Sequence, residues 1–149
     1  MHTYGTIRTN AYYMIGLPTE TRAEMFDTIE LCRRINSKVN SVSIFQPFPG
    51  QALTRFCIQE GYISGREPCA SFTSHSILKQ PHIAAEEISG IWRTFMLYAK
   101  LPKSLWPAIE KCEKDPTSTA EYQMLVRLRW DLEKYGTDGH DEIWHEGRE

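Results

Sequence analysis

Four cysteines, Cys32, Cys57, Cys69 and Cys112, are the side chains best suited to hold a metal or act as nucleophiles. They lie 25, 12 and 43 positions apart, so none forms a CxxC or CxxxCxxC cluster. Scattered thiols of this kind read as small buried apolar residues. His140 and His145, with Asp141, Glu142 and Glu146, are suited to a divalent cation, but a glycine-broken run of charges also reads as a solvated tail. His75 and His82 flank Lys79-Gln80-Pro81 without an apparent partner and read as surface residues. Trp92, Trp106 and Trp130 sit in helical patterns and read as packing anchors rather than stacking platforms for bases. No Ser-His-Asp signature, phosphate loop or GxGxxG dinucleotide fingerprint is present.

Composition narrows the classes further. Seventeen basic against 19 acidic residues give a formal charge of −2, and Arg33-Arg34 is too short a basic run to bind a phosphate backbone, so no nucleic-acid partner is expected. The most apolar run, Ala11 to Leu17, is far short of the roughly 20 residues of a membrane span. The first residues resemble no secretory signal, and a cytoplasmic chain with reduced thiols is the expectation.

The elements that would position a site begin with Arg8 to Ile15, a β-branched and aromatic run that reads as a buried strand ending at Gly16-Leu17-Pro18. Thr21 and Glu24 form a capping box, after which Met25, Ile29, Cys32 and Ile35 recur at helical spacing, so a helix is predicted over Thr21 to Ile35. Val39 to Gln46 is a second strand, stopped by Pro47-Phe48-Pro49-Gly50. Strand, helix, strand is a βαβ unit with parallel strands and a right-handed crossover. A short helix over Leu53 to Glu60 and a loop over Ile63 to His75 follow. Helices are then predicted over Glu86 to Lys100, Lys103 to Lys114 and Thr117 to Tyr135, the last with Leu125, Leu128, Leu132 and Tyr135 along one side. Gly136 to Glu149 reads as a frayed tail.

Two parallel strands with one crossover helix do not make a stable sheet, since parallel strands are normally buried on both faces and sheets need about three or more strands. Gly5 sits where a helix C-terminal glycine would precede a strand. Both features suggest a piece of a larger fold.

The stretch AYYMIGLPTETRAEMFDTIELCRRIN, followed by SVSIFQPFPGQAL and GYI, resembles the fifth strand, fifth helix and sixth strand of radical SAM enzymes, in particular those with a cobalamin-binding domain upstream of the barrel. The shared pattern is a strand ending in Gly-x-Pro, a Glu-Thr at the next helix start, and a strand ending in Pro-x-Pro-Gly-Thr. It matches Gly16-Leu17-Pro18, Glu20-Thr21 and Pro47-Phe48-Pro49-Gly50. Thr19 stands where that pattern has glycine, and Gln51 where it has threonine.

The resemblance implies an α/β chain forming part of a (β/α) barrel over residues 1–63, a helical extension over 64–135 and a flexible tail over 136–149. It implies S-adenosyl-L-methionine (SAM) and a [4Fe-4S] cluster as cofactors of the whole enzyme, with cobalamin a further candidate. The cluster's CxxxCxxC loop is absent from this sequence, so the fragment alone is expected neither to bind a cluster nor to cleave SAM. Barrel ligands bind at the carboxyl ends of strands, which singles out Ile15, Gly16, Phe45 and Gln46 as candidate cofactor-binding residues. Ile15 and Phe45 also suit barrel core, and Gln46 also suits a loop cap. Glu20 also suits a helix-start charge. Expected partners are the missing N-terminal half of the barrel or another chain, and a small-molecule, lipid or glycan-precursor substrate. The alternative is a non-catalytic half-barrel remnant that serves as a protein-interaction module through its helices.

Overall fold

A computed structural model describes residues 10–37, 39–73, 75–114 and 119–135. Among them the chain is α/β, with a two-stranded parallel sheet and five α-helices. It divides into two compact units, residues 1–92 and 93–149. Gly5, the first two residues of the expected first strand, the Asp115-Pro116 break and the tail from Gly136 lie outside the described residues.

In the first unit, β1 (Asn10–Ile15) and β2 (Val39–Ile44) run parallel, with Ile15 opposite Ile44 and Tyr12 opposite Ser41. β2 ends two residues earlier than its sequence suggests, although Phe45 N–H still donates to Ile15 O at 2.9 Å. The crossover is α1 (Arg22–Ile35), capped as expected. Thr21 is the N-cap, its hydroxyl accepts from Glu24 N–H, and the Glu24 carboxylate accepts from Thr21 N–H at 2.7 Å. At the other end Asn36 adopts a left-handed conformation and its N–H donates to Cys32 O, a helix stop that a short amide side chain tolerates. Met25, Ile29 and Cys32 are fully buried, whereas Ile35, expected on the same stripe, is half exposed because it lies in the final turn.

Side chains alternate across a strand, and the alternation divides the sheet sharply. Tyr13, Ile15 and Ile44 are buried on the face that carries the helices. The Cys32 thiol donates to Asn40 Oδ1, and the indole of Trp92 donates to Val42 O at 2.9 Å. The other face presents Asn10, Tyr12, Met14, Val39, Ser41 and Ser43, with Tyr12 at 77% exposure. α2 (Ala52–Gln59) contributes Cys57 to a cluster with Phe45, Ile63 and Leu78.

α3 (Ala85–Lys100) starts in the first unit and ends in the second. In the second unit, a single 3-10 turn (Lys103–Leu105) leads into α4 (Trp106–Lys114), splitting the helix expected from Lys103. Pro107 lacks an N–H and suits the first turn of α4. The Tyr98 hydroxyl donates to the buried Glu113 carboxylate at 2.5 Å, and the Tyr98 ring meets Trp106 edge-on. Among the described side chains of α5 (Ala120–Tyr135), Leu125 is the one buried in full. Leu128, expected on the buried side, is 38% exposed, and Trp130, expected to anchor packing, is 59% exposed beneath the Arg129 guanidinium.

Candidate functional site

The four residues singled out by sequence meet at the carboxyl ends of the two strands. Gly16 follows Ile15 with φ +75°, and a Cβ there would lie 2.8 Å from Ile88 Cγ2 and 3.6 Å from Ile44 Cγ2. Glycine is therefore required twice over, by backbone conformation and by the close approach of α3. Ile15 is fully buried on the helix-bearing face, and Phe45 lies in the Cys57–Ile63–Leu78 cluster. Gln46 is 2% exposed, and both ends of its amide are bonded: Nε2 donates to His75 O at 3.0 Å and Oε1 accepts from Ala70 N–H at 3.1 Å.

The turn after β1 is held from two sides. Leu17 N–H donates to the Glu20 carboxylate at 3.0 Å. Burial pushes the Glu20 carboxyl above its ordinary range, and the N–H groups of Leu17 and Gly16 pull it back in part. Thr19 has φ +69°, a left-handed conformation in a β-branched residue. Its N–H donates to Gln80 Oε1 at 2.7 Å, and Gln80 Nε2 donates to Leu17 O at 3.3 Å. The imidazole Nε2 of exposed His82, expected to lack a partner, lies 3.1 Å from Glu20 O.

Beyond β2, Ile44 N–H donates to Phe72 O at 2.8 Å. The Phe48 and Phe72 rings sit 5.3 Å apart at this strand end, both partly open to solvent. The Thr54 hydroxyl donates to Phe48 O at 2.6 Å, fixing the Pro47–Gly50 turn against α2.

Gln80 is the site residue that sequence reasoning missed. It sits in a polar stretch without periodicity, and its partners Thr19 and Leu17 are 61 and 63 residues away. The only local hint is Pro81 beside it, which marks an ordered turn and says nothing of a distant partner.

Among the described residues, no group of three or more His, Cys, Asp or Glu side chains is placed to hold a metal ion. Cys32, Cys57 and Cys112 are buried, and Cys69 donates to Pro47 O. The His140 and His145 group lies outside the described residues. None of the six residues on the uncovered sheet face carries a charge. No described helix is long and apolar enough to cross a membrane.

No protein-family model matches the chain, and no solved structure matches it. An uncharacterized methyltransferase of Pyrococcus horikoshii is 27% identical over 94 residues, which are 62% of this chain. The match spans 20% of that relative's length.

Proposed function

We propose that this chain is the carboxyl-terminal part of a radical SAM enzyme: two neighbouring strands of a parallel (β/α) barrel followed by a helical extension. The single observation that carries the reading is how the two-stranded sheet is finished. Phe45 N–H bonds to Ile15 O, so odd-numbered residues of β1 turn their backbone groups toward β2 and even-numbered residues turn theirs away. On the far side of β2, the outward groups of Val42 and Ile44 are taken by Trp92 and Phe72. On the far side of β1, no described residue bonds the outward groups of Asn10, Tyr12 and Met14. Among the described residues, helices cover one face and leave the other bare. A sheet that is, among these residues, capped at one edge, open at the other and covered on one face suits the last strands of a larger parallel barrel that is not fully closed.

The methyltransferase relative supports a SAM-related activity, and its much greater length supports further strands outside these 149 residues. In this reading SAM lies across the strand ends near Ile15, Gly16, Phe45 and Gln46. The Ile15 and Phe45 side chains are packed into the protein's own core and would offer a ligand only their backbone, whereas Gln46 retains one N–H and one lone pair beyond its two bonds. The described residues do not fit a [4Fe-4S] cluster, because the thiols are scattered and mostly buried. In this reading a cluster would have to be held by residues other than those described. No residue described here bears on cobalamin. Methyl transfer or another radical rearrangement of a small metabolite, lipid or glycan precursor is the class of reaction this reading allows.

A second reading, a non-catalytic module that binds a partner through its helices, is favoured by the exposure of Met124, Leu128 and Trp130 on α5. Sequencing the locus upstream of Met1 separates the two. An in-frame CxxxCxxC segment, together with 5′-deoxyadenosine formation by the reduced full-length product, is the expected result. A stop codon and promoter directly upstream, with no cluster-bearing partner gene beside it, would overturn the enzymatic reading.

A further inference from the structure

Two buried glutamines do related jobs at the two strand ends. Gln46, just beyond β2, holds His75 O. Gln80, five residues further along from His75, holds Thr19 N–H and Leu17 O in the turn after β1. The residues between are anchored rather than free. Leu78 is fully buried in the Phe45 cluster, Ser76 is buried with its hydroxyl accepting from Leu78 N–H, and Lys79 N–H donates to Tyr62 O at 2.9 Å. Segment His75–Gln80 is thus a short, tightly held bridge whose first residue is bonded to one strand end and whose last is bonded to the other.

We infer that this bridge fixes the carboxyl ends of β1 and β2 relative to each other, with Gln46 and Gln80 as its positioning residues. The two halves of the strand-end site then loosen and tighten as one unit. Three features favour coupling over two independent loop contacts. Both amides are nearly inaccessible, at 2% and 8% exposure, so water does not readily replace a lost protein partner. The bridge holds six residues, too few to absorb a displacement at one end without moving the other. The turn it grips is strained, since Thr19 occupies the left-handed region, so that conformation persists only while its surroundings enforce it. The inference concerns this chain alone and stands whether or not the whole protein cleaves SAM.

Amide hydrogen exchange read residue by residue on the 149-residue chain tests it. Gln80→Leu removes the grip on the β1 turn, and Thr19 exchange must rise as a direct effect. The coupled bridge adds a remote one: Ala70, whose N–H is held by Gln46, exchanges about fivefold to tenfold faster, the equivalent of roughly one lost hydrogen bond. In the reciprocal variant, Gln46→Leu, Thr19 exchange rises by a similar factor while Ile29, in the core of α1, is unchanged. Gln80→Glu provides the milder perturbation if either leucine variant unfolds. It keeps the acceptor for Thr19 N–H and loses the donor to Leu17 O, and a rise at Ala70 is still expected. Acceleration confined to the residues directly bonded to the altered side chain, in the leucine variants or in Gln80→Glu, would overturn the inference.

Discussion

Replacing Thr19 by glycine should stabilise the protein, although it deletes a side chain and gains no contact. Thr19 sits at φ +69°, where the Cβ of an L residue crowds its own backbone at a cost of roughly 1–2 kcal/mol. β-Branching places it toward the upper part of that range. Glycine removes the crowding but gives the unfolded chain more freedom, which returns about 0.5–1 kcal/mol. The side chain is exposed and makes no described hydrogen bond, its N–H being the group that Gln80 holds. The balance is a gain of about 0.5–1 kcal/mol, or about 2 °C in melting temperature for a chain of this size. Urea denaturation of Thr19→Gly beside Thr19→Asn measures it, because asparagine tolerates the left-handed region without glycine's flexibility and should also gain. A loss of stability in both variants would refute the reasoning, since it would mean that the hydroxyl or the β-carbon stabilises the turn more than the conformation strains it.

Gly16→Ala should cost at least about 2 kcal/mol in the same assay, because it adds left-handed strain to a 2.8 Å approach to Ile88. Burial, with the Cys32 thiol beside it, holds the Tyr13 phenol up to about 12. Its folded value therefore lies above its unfolded one, so stability is unaffected by this group below pH 10 and falls as pH rises toward 12. Tyr13→Phe should flatten that alkaline decline in stability measured against pH. Thr21→Ala removes the α1 capping box and should cost about 1 kcal/mol of unfolding free energy. Proline at position 12 deletes an outward-facing N–H and should lower the melting temperature only slightly, whereas proline at position 13 breaks the ladder to β2 and should cost about 3 kcal/mol or more; equal effects would refute the assignment of the open edge.

The βαβ unit was legible because its signals are local. A capping box three residues wide, a helical stripe of Met25, Ile29 and Cys32, and proline stops after each strand all act within one or two turns. The same locality explains the errors. Ile35 and Leu128 continue apolar periodicities that the packing does not use, and periodicity alone cannot show where a neighbouring element ends. The 3-10 turn at Lys103–Leu105 differs from an α-helix by a hydrogen-bond register that composition scarcely encodes. At the strand ends, chain order brought Gly16 and Gln46 into view, but the hydrogen-bond partners of Gln46 lie 24 and 29 residues away, and Gln80 binds across more than 60. A long-range polar clasp leaves no periodic trace, so Gln46 stands out by its place beside a strand and Gln80 does not.

Thr19 links the sequence pattern to the geometry. The radical SAM resemblance has glycine before Glu-Thr, and the left-handed backbone at Thr19 supplies a physical reason for that preference. A turn that holds this conformation without glycine needs something to hold it. Gln80 and the Glu20 carboxylate, which bond the N–H groups of Thr19 and Leu17, are suited to do so. The departure from the pattern and the clasp beside it are then two sides of one arrangement. The turn retains the shape the strand end requires, and the strain is borne by contacts from a distant segment. If so, relieving the strain and cutting the clasp are not independent. Gln80→Leu should be less damaging in a Thr19→Gly background than in the natural chain, because glycine holds the left-handed conformation without enforcement.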